Sequence, residues 1–278
     1  MKSVSEHYLI IEAGRSERQY WKDIWRYREL FYFLAWRDIL VRYKQTAIGV
    51  TWALIRPLLT MIVFTVVFGN IAKLPTEADA PYPILVFSAM LPWQFFANAL
   101  SECSNSLLSN SNLISKVYFP RLIVPASAVI VSFVDFLISA SILLALMAWY
   151  DFVPSWRILT LPLFILIAFA AAIGGGLWLA ALNVEYRDFR YIVPFIVQFG
   201  LYVSPVGFSS TIVPEKWRFL YSLNPMVGVI DGFRWAIISG DTNLYWSGFL
   251  LSIAIVVLLV VSGIWYFRKM ERTFADVI

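Results

Sequence analysis

The chain has 278 residues, of which 60% are hydrophobic and 14% charged, with a mean hydropathy of +0.72 and a net charge of +4. Soluble domains carry about 25% charged and about 45–50% apolar residues, so this composition excludes an ordinary soluble fold and indicates an all-α polytopic membrane protein. His7 and Cys103 are the only residues of their kinds, which excludes an internal disulfide, a zinc cluster and a His-dependent triad, and nothing points to a nucleic-acid partner.

The chain opens on a polar, charged tail. No secretory signal peptide is expected, because the first apolar run of spanning length starts near residue 48. Residues 20–45 combine charge with Trp21, Trp25, Phe31, Phe33, Trp36, Leu40 and Tyr43. Phe33, Trp36, Leu40 and Tyr43 fall on one helical stripe, and Asp38, Arg42 and Gln45 on another. The segment is too short to cross a bilayer. It predicts an amphipathic helix lying in the interface, aromatic face in the headgroup layer and basic face toward water and phosphates. A plain surface anchor would have the same pattern.

A spanning helix needs ~20 mostly apolar residues to cross a ~30 Å hydrocarbon layer. Six stretches qualify: 48–71, 82–100, 122–150, 159–182, 191–208 and 244–267. The third is long enough to tilt or project. Pro92, Pro194, Pro205 and the triplet Gly174-Gly175-Gly176 mark kinks or close packing, with packing the simpler reading. Asp135 lies deep in the third stretch and must face protein or water. An interhelical hydrogen bond is its simplest role; a proton site or a channel contact stays open. Glu102 falls near the end of the second stretch, at the interface.

Arg56-Pro57 stands at the mouth of the first stretch. Arg56 either snorkels to headgroups or joins Arg37, Arg42 and Lys44 in a cluster suited to phosphate oxygens. Of the aromatic residues, Trp93, Phe96, Phe136, Trp178 and Tyr202 lie mid-span or near it. They either stack on the C–H faces of sugars or pack helices together.

Between the fifth and sixth stretches runs "SSTIVPEKWRFLYSLNPMVGVIDGFRWAIISGD", residues 209–241. Asn224-Pro225 is a good helix start, residues 226–238 are too few to cross, and Gly240 is placed to stop them. Two short re-entrant helices in the outer leaflet are predicted, lining the mouth of a wet cavity.

With the N-terminus inside, 17 of the 22 Lys and Arg residues lie on the cytoplasmic side, and Lys73, Arg157, Lys216, Arg218 and Arg234 lie outside. Both termini are therefore expected in the cytoplasm, with the protein multi-pass in the cytoplasmic (inner) membrane. The chain reads as a single membrane domain over 1–278: tail and interfacial helix 1–47, six-span region 48–268 with its re-entrant segment 209–241, and C-terminal tail 269–278. It contains no G-x-x-x-x-G-K-[ST], no H-E-x-x-H, no G-x-S-x-G and no dinucleotide fingerprint. No catalytic residue, metal site or cofactor is expected in this chain.

Four segments together resemble the permease subunit of type-2 ABC exporters, in the branch that exports polysaccharide such as O-antigen: "RDILVRYKQTAIGVTWALIRPLLTMIVFTVVFG", "ISKVYFPRLIVP", "NVEYRDFRYIVPFIVQFGLYVSPVGF" and "VPEKWRFLYSLNPMVGVIDGFRWAIISGD". The resemblance implies a homodimer of this chain within a heterotetramer, completed by a separate nucleotide-binding ATPase subunit that holds ATP and Mg. The implied substrate is a lipid-linked glycan on undecaprenyl diphosphate, among membrane lipids. Lys116, Tyr118 and Arg121, with Tyr186, Arg187 and Asp188, would couple to the ATPase. Asn224, Pro225 and Arg234 would belong to the outer gate. Trp93, Phe96, Phe136, Trp178 and Tyr202 would be channel aromatics, and Arg37, Arg42 and Arg56 would meet the carrier's headgroup. A capsule or teichoic acid exporter, a small-molecule exporter of the same architecture, and a membrane-embedded glycan transferase are the alternatives.

Overall fold

The computed structural model describes residues 17–44, 49–75, 80–186, 188–238, 244–271 and 273–274. Every regular element among them is helical, with no strand. The α-helices in chain order are α1 (Glu17–Arg26), α2 (Arg28–Lys44), α3 (Gly49–Phe64), α4 (Tyr82–Ser109), α5 (Ser111–Lys116), α6 (Ile123–Trp149), α7 (Leu161–Glu185), α8 (Phe189–Val203), α9 (Glu215–Tyr221), α10 (Pro225–Ile237) and α11 (Trp246–Met270). A π-helical stretch, Thr65–Ile71, continues α3, and a 3-10 turn, Trp156–Thr160, leads into α7.

Five helical segments are long and apolar enough to cross a membrane: Leu54–Ile71, Tyr82–Ser109, Ile123–Trp149, Trp156–Glu185 and Trp246–Met270. The predicted fifth crossing, 191–208, is instead the 15-residue α8. At 1.5 Å per residue it covers about 22 Å, short of a ~30 Å core. The reason lies at Ser204-Pro205. Proline has no N–H and restricts the residue before it, and Ser204 duly adopts an extended conformation as the C-cap.

The centre of the bundle is α4, whose spanning window is 78% buried, against 11% for α3. It packs on α6, α7 and α10, while α7 also packs along α11. The glycines of the triplet serve close packing. A Cβ on Gly174 would lie 2.7 Å from the Val260 backbone nitrogen, and one on Gly263 would lie 2.4 Å from the Gly174 oxygen, so α7 and α11 touch backbone to backbone. Gly176 faces Cys103 of α4 in the same way, its Cβ position 2.5 Å from Sγ.

The helix start predicted at Asn224-Pro225 is present: the Asn224 side-chain oxygen accepts from the Met226 N–H at 3.0 Å, and proline occupies the first turn. α10 is almost wholly buried among α4, α7 and α11, whereas α9 is largely exposed. Gly240, the predicted stop, lies outside the described residues. A second, smaller apolar cluster gathers at the end of the bundle occupied by Ile114, Phe119, Val184, Phe267 and Phe274, and it takes in Leu34 of α2.

Candidate functional site

Three helices of the bundle carry polar residues at helical spacing on one face: Trp52, Arg56 and Thr60 on α3, Gln94, Asn98, Ser101 and Glu102 on α4, and Gln198 and Tyr202 on α8. Such stripes cannot face hydrocarbon without loss of hydrogen bonding. The fold turns them toward one another. They line a cleft of about 980 Å³, together with Trp93, Asp135 and Ser139 and, at one end, Arg42 and Tyr43 of α2. Amide and hydroxyl groups thus alternate with aromatic rings along its wall. Among the described residues, no group of three or more His, Cys, Asp or Glu is gathered to hold a metal.

The α2 end of the cleft carries a charge cluster. Arg42 Nη1 donates to Asp135 Oδ2 at 2.5 Å, and its Nη2 donates to Glu102 Oε1. Tyr43 donates to the other oxygen of Asp135. Asp135 is only 17% exposed, and these donors explain how a carboxylate sits within a spanning helix. Its bond is interhelical, between α6 and α2.

The three arginines expected at a headgroup therefore differ. Arg42 is engaged by two carboxylates. Arg37 donates to Asp38 at 2.8 Å and to Asn110 Oδ1 at 2.8 Å, which fastens α2 to the far end of α4. Arg56 is exposed on the cleft wall, and its guanidinium makes no ion pair or hydrogen bond with another described side chain. Phe33, Trp36 and Leu40 form an exposed stripe on α2, whereas Tyr43 at the end of that stripe turns inward to Asp135.

The five aromatics also separate. Trp93 and Tyr202 line the cleft, with Tyr202 61% exposed and Trp93 wedged against Gly200 of α8. Phe96 lies behind, 5.7 Å from the Trp93 ring. Phe136 is core, packed with Phe95, Phe133 and Phe233. Trp178 stacks on Tyr266 at 4.1 Å and donates to Ser262, so it joins α7 to α11.

Away from the cleft, Lys116 at the end of α5 and Tyr118 just after it are exposed. Arg121 is held: its N–H donates to Glu271 Oε1 at 2.8 Å, its Nη1 to the Glu271 carbonyl at 2.5 Å, and its guanidinium lies 5.9 Å from the Phe274 ring. Burial raises the Glu271 carboxyl above its ordinary range, partly opposed by the Arg121 N–H. Tyr186 and Asp188 are exposed at the start of α8, and Arg187 between them lies outside the described residues.

At the opposite end of the bundle, the non-helical run 204–208 is mostly buried, and its polar groups are covered by side chains. Arg234, 2% exposed, donates to the carbonyls of Val206 at 3.1 Å and Phe208 at 2.7 Å, and more weakly to that of Leu85. Tyr82 donates to Gly207 O at 2.8 Å, Tyr221 to Val203 O at 2.7 Å, and Asn224 to Ser204 Oγ at 2.9 Å. Two of the three residues expected at an outer gate, Asn224 and Arg234, are thus fasteners of this break, and Pro225 starts the helix that carries Arg234.

The sequence pointed to four of the cleft residues, Arg42, Arg56, Trp93 and Tyr202, but not to Gln94, Asn98, Gln198 or Thr60. Their signal was the recurrence of polar residues every four positions within apolar helices.

Comparison with known proteins gives the family of the chain. The family model described as ABC-2 type transporter matches residues 29–238. A protein of Klebsiella pneumoniae called O-antigen export system permease protein RfbA is 27% identical over 247 residues, covering 87% of this chain and 92% of that one. A Myxococcus xanthus protein of the same name is 28% identical over 215 residues, covering 77% and 82%. An Escherichia coli polysialic acid transport protein, KpsM, is 22% identical over 211 residues, covering 73% and 79%.

Proposed function

The chain belongs to the ABC-2 type transporter family, and on that premise we propose that it is the membrane-embedded permease of an ATP-driven polysaccharide exporter. The observation that carries this is the cleft. Its polar stripes and aromatic rim offer what a glycan needs, hydrogen bonds to hydroxyls and flat apolar faces for the sugar ring. The names of the relatives, O-antigen export permease and polysialic acid transport protein, support a polymer as cargo.

Two copies of the chain pair, their clefts joining into one conduit, with an ATPase subunit on each supplying ATP hydrolysis and Mg. Lys116, Tyr118, Tyr186, Arg187 and Asp188 meet that ATPase. The termini face the cytoplasm from a bacterial inner membrane, an orientation that the Lys and Arg distribution supports. α8 and the covered run after it together make the fifth of six crossings, and α9 and α10 form the outer-face re-entrant segment that includes Asn224, Pro225 and Arg234. The cargo is carried on a polyprenyl diphosphate, and Arg56 is the guanidinium that meets its phosphates, since a fork on the cleft wall with no partner among the described side chains matches phosphate oxygens.

The test is ATP turnover by the reconstituted complex, stimulated by a synthetic polyprenyl diphosphate-linked disaccharide, with inorganic diphosphate and the uncharged polyprenol-linked sugar as controls. Stimulation by the first alone supports the reading. Arg56→Gln should then raise the half-stimulating concentration about tenfold, the worth of one charge-assisted bond. Equal stimulation by the uncharged sugar would remove Arg56 from its role. No stimulation by any of the three would reject the glycan cargo.

A further inference from the structure

This inference rests on the reading of the cleft as the carrier's path. We propose that Arg42 is a positioning residue: it pins the end of α2, and with it the start of α3, onto α4 and α6, and so sets the width of the cleft.

Its two carboxylate partners belong to different spans, Glu102 to α4 and Asp135 to α6, so a single guanidinium bridges three helices. Tyr43 adds a further bond to Asp135, from the next residue of α2. A phosphate reaching Arg42 would have to displace both carboxylates and leave Asp135 unpaired within a spanning helix, which is strongly unfavourable. Arg56, on the same wall, presents its charge without that cost.

The helix that the tether governs is loosely held. The spanning part of α3 is 11% buried, the least of the five, and α3 supplies the cleft wall bearing Trp52, Arg56 and Thr60. Residues 45–48 alone separate α2 from α3 in the sequence. A shift of the α2 end therefore passes directly to the wall that carries Arg56. The outward face of α2, with Phe33, Trp36 and Leu40 exposed, is the face a lipid surface would hold. Bilayer and bundle thus hold α2 from opposite sides, and the Arg42 cluster fixes its place between them.

The experiment uses the full chain in lipid nanodiscs. Spin labels are placed through Lys44→Cys on α2 and Leu59→Cys on α3, each paired with Leu144→Cys on α6; all three positions are exposed, while Cys103 is fully buried and stays unlabelled. Arg42→Gln and Asp135→Asn should each broaden and lengthen both distance distributions. Arg42→Lys, which keeps the charge, should restore most of the native distribution. In the complex with its ATPase, Arg42→Gln should lower maximal stimulated turnover at least about fivefold while the half-stimulating concentration of the polyprenyl diphosphate disaccharide stays within about twofold. Labels that do not move in Arg42→Gln overturn the tether, as does a rise in half-stimulating concentration with unchanged maximal turnover, which would make Arg42 a direct ligand. If the wild-type complex does not respond to the disaccharide, the functional reading falls, and the label distances alone decide the tether.

Discussion

Arg234 and Glu271 show two ways of keeping a charge inside this molecule. Arg234 spends its donors on the carbonyls that the break after α8 leaves open. Replacing it by Met keeps much of the volume but strands those carbonyls, and the expected cost is about 3–5 kcal/mol. It would appear as a clear fall in the unfolding midpoint in detergent, and Arg234→Lys, with a smaller donor set, should recover only part of it. An unchanged midpoint would mean that water covers the break. Glu271 behaves differently, because burial raises its carboxyl above the ordinary value of about 4.3. The folded state then binds the proton more tightly than the unfolded state. The associated stability is complete below the ordinary value and is lost as pH rises through the raised one. Thermal unfolding measured from pH 4 to pH 8 should show this decline in the wild type and a flatter profile in Glu271→Gln.

The clearest element-scale feature is the contact between α7 and α11. Gly174 and Gly263 let the two backbones meet, and with no hydrophobic drive between helices in lipid, such contact is what holds them together. Gly263→Val places a branched side chain against the Gly174 carbonyl and should separate the pair. The expected result is a loss of about 1–3 kcal/mol, from overpacking, read as a lower unfolding midpoint. Gly175→Ala, where the nearest neighbour is one Leu100 methyl at 3.2 Å, should cost far less. α2 shows the opposite case. Its pattern predicted a helix on a surface, and its aromatic stripe is indeed exposed, yet its last turn is fastened inward by Arg42 and Tyr43.

For the whole molecule, the issue is how many times the chain crosses. Five helices have the length, and α8 needs the covered run 204–208 to complete a sixth passage. If it does, Lys216 stands outside and Lys269, beyond α11, stands inside. Cysteines placed at each should differ in reaction with an impermeant maleimide on intact cells, Lys216→Cys reacting and Lys269→Cys not. The reverse pattern, Lys269→Cys reacting and Lys216→Cys not, would leave an odd number of crossings and undo the assignment of sides.

The sequence by itself determined that the chain is helical and membrane-spanning, where five of the long helices lie, that Asn224-Pro225 starts a helix, and that Asp135 faces protein or water. Each follows from a local rule: runs of apolar residues, a capping side chain, or the cost of a charge in hydrocarbon. Only the tertiary structure decided which arginine has no partner among the described side chains, which aromatics line the cleft, and that α8 stops short. Arg37, Arg42 and Arg56 have the same side chain, and Trp93 and Trp178 likewise. What separates them is the neighbour each meets across a helix interface, Glu102 and Asp135 for Arg42 and Tyr266 for Trp178. Those neighbours lie tens of residues away along the chain, and local periodicity cannot pair residues over that distance.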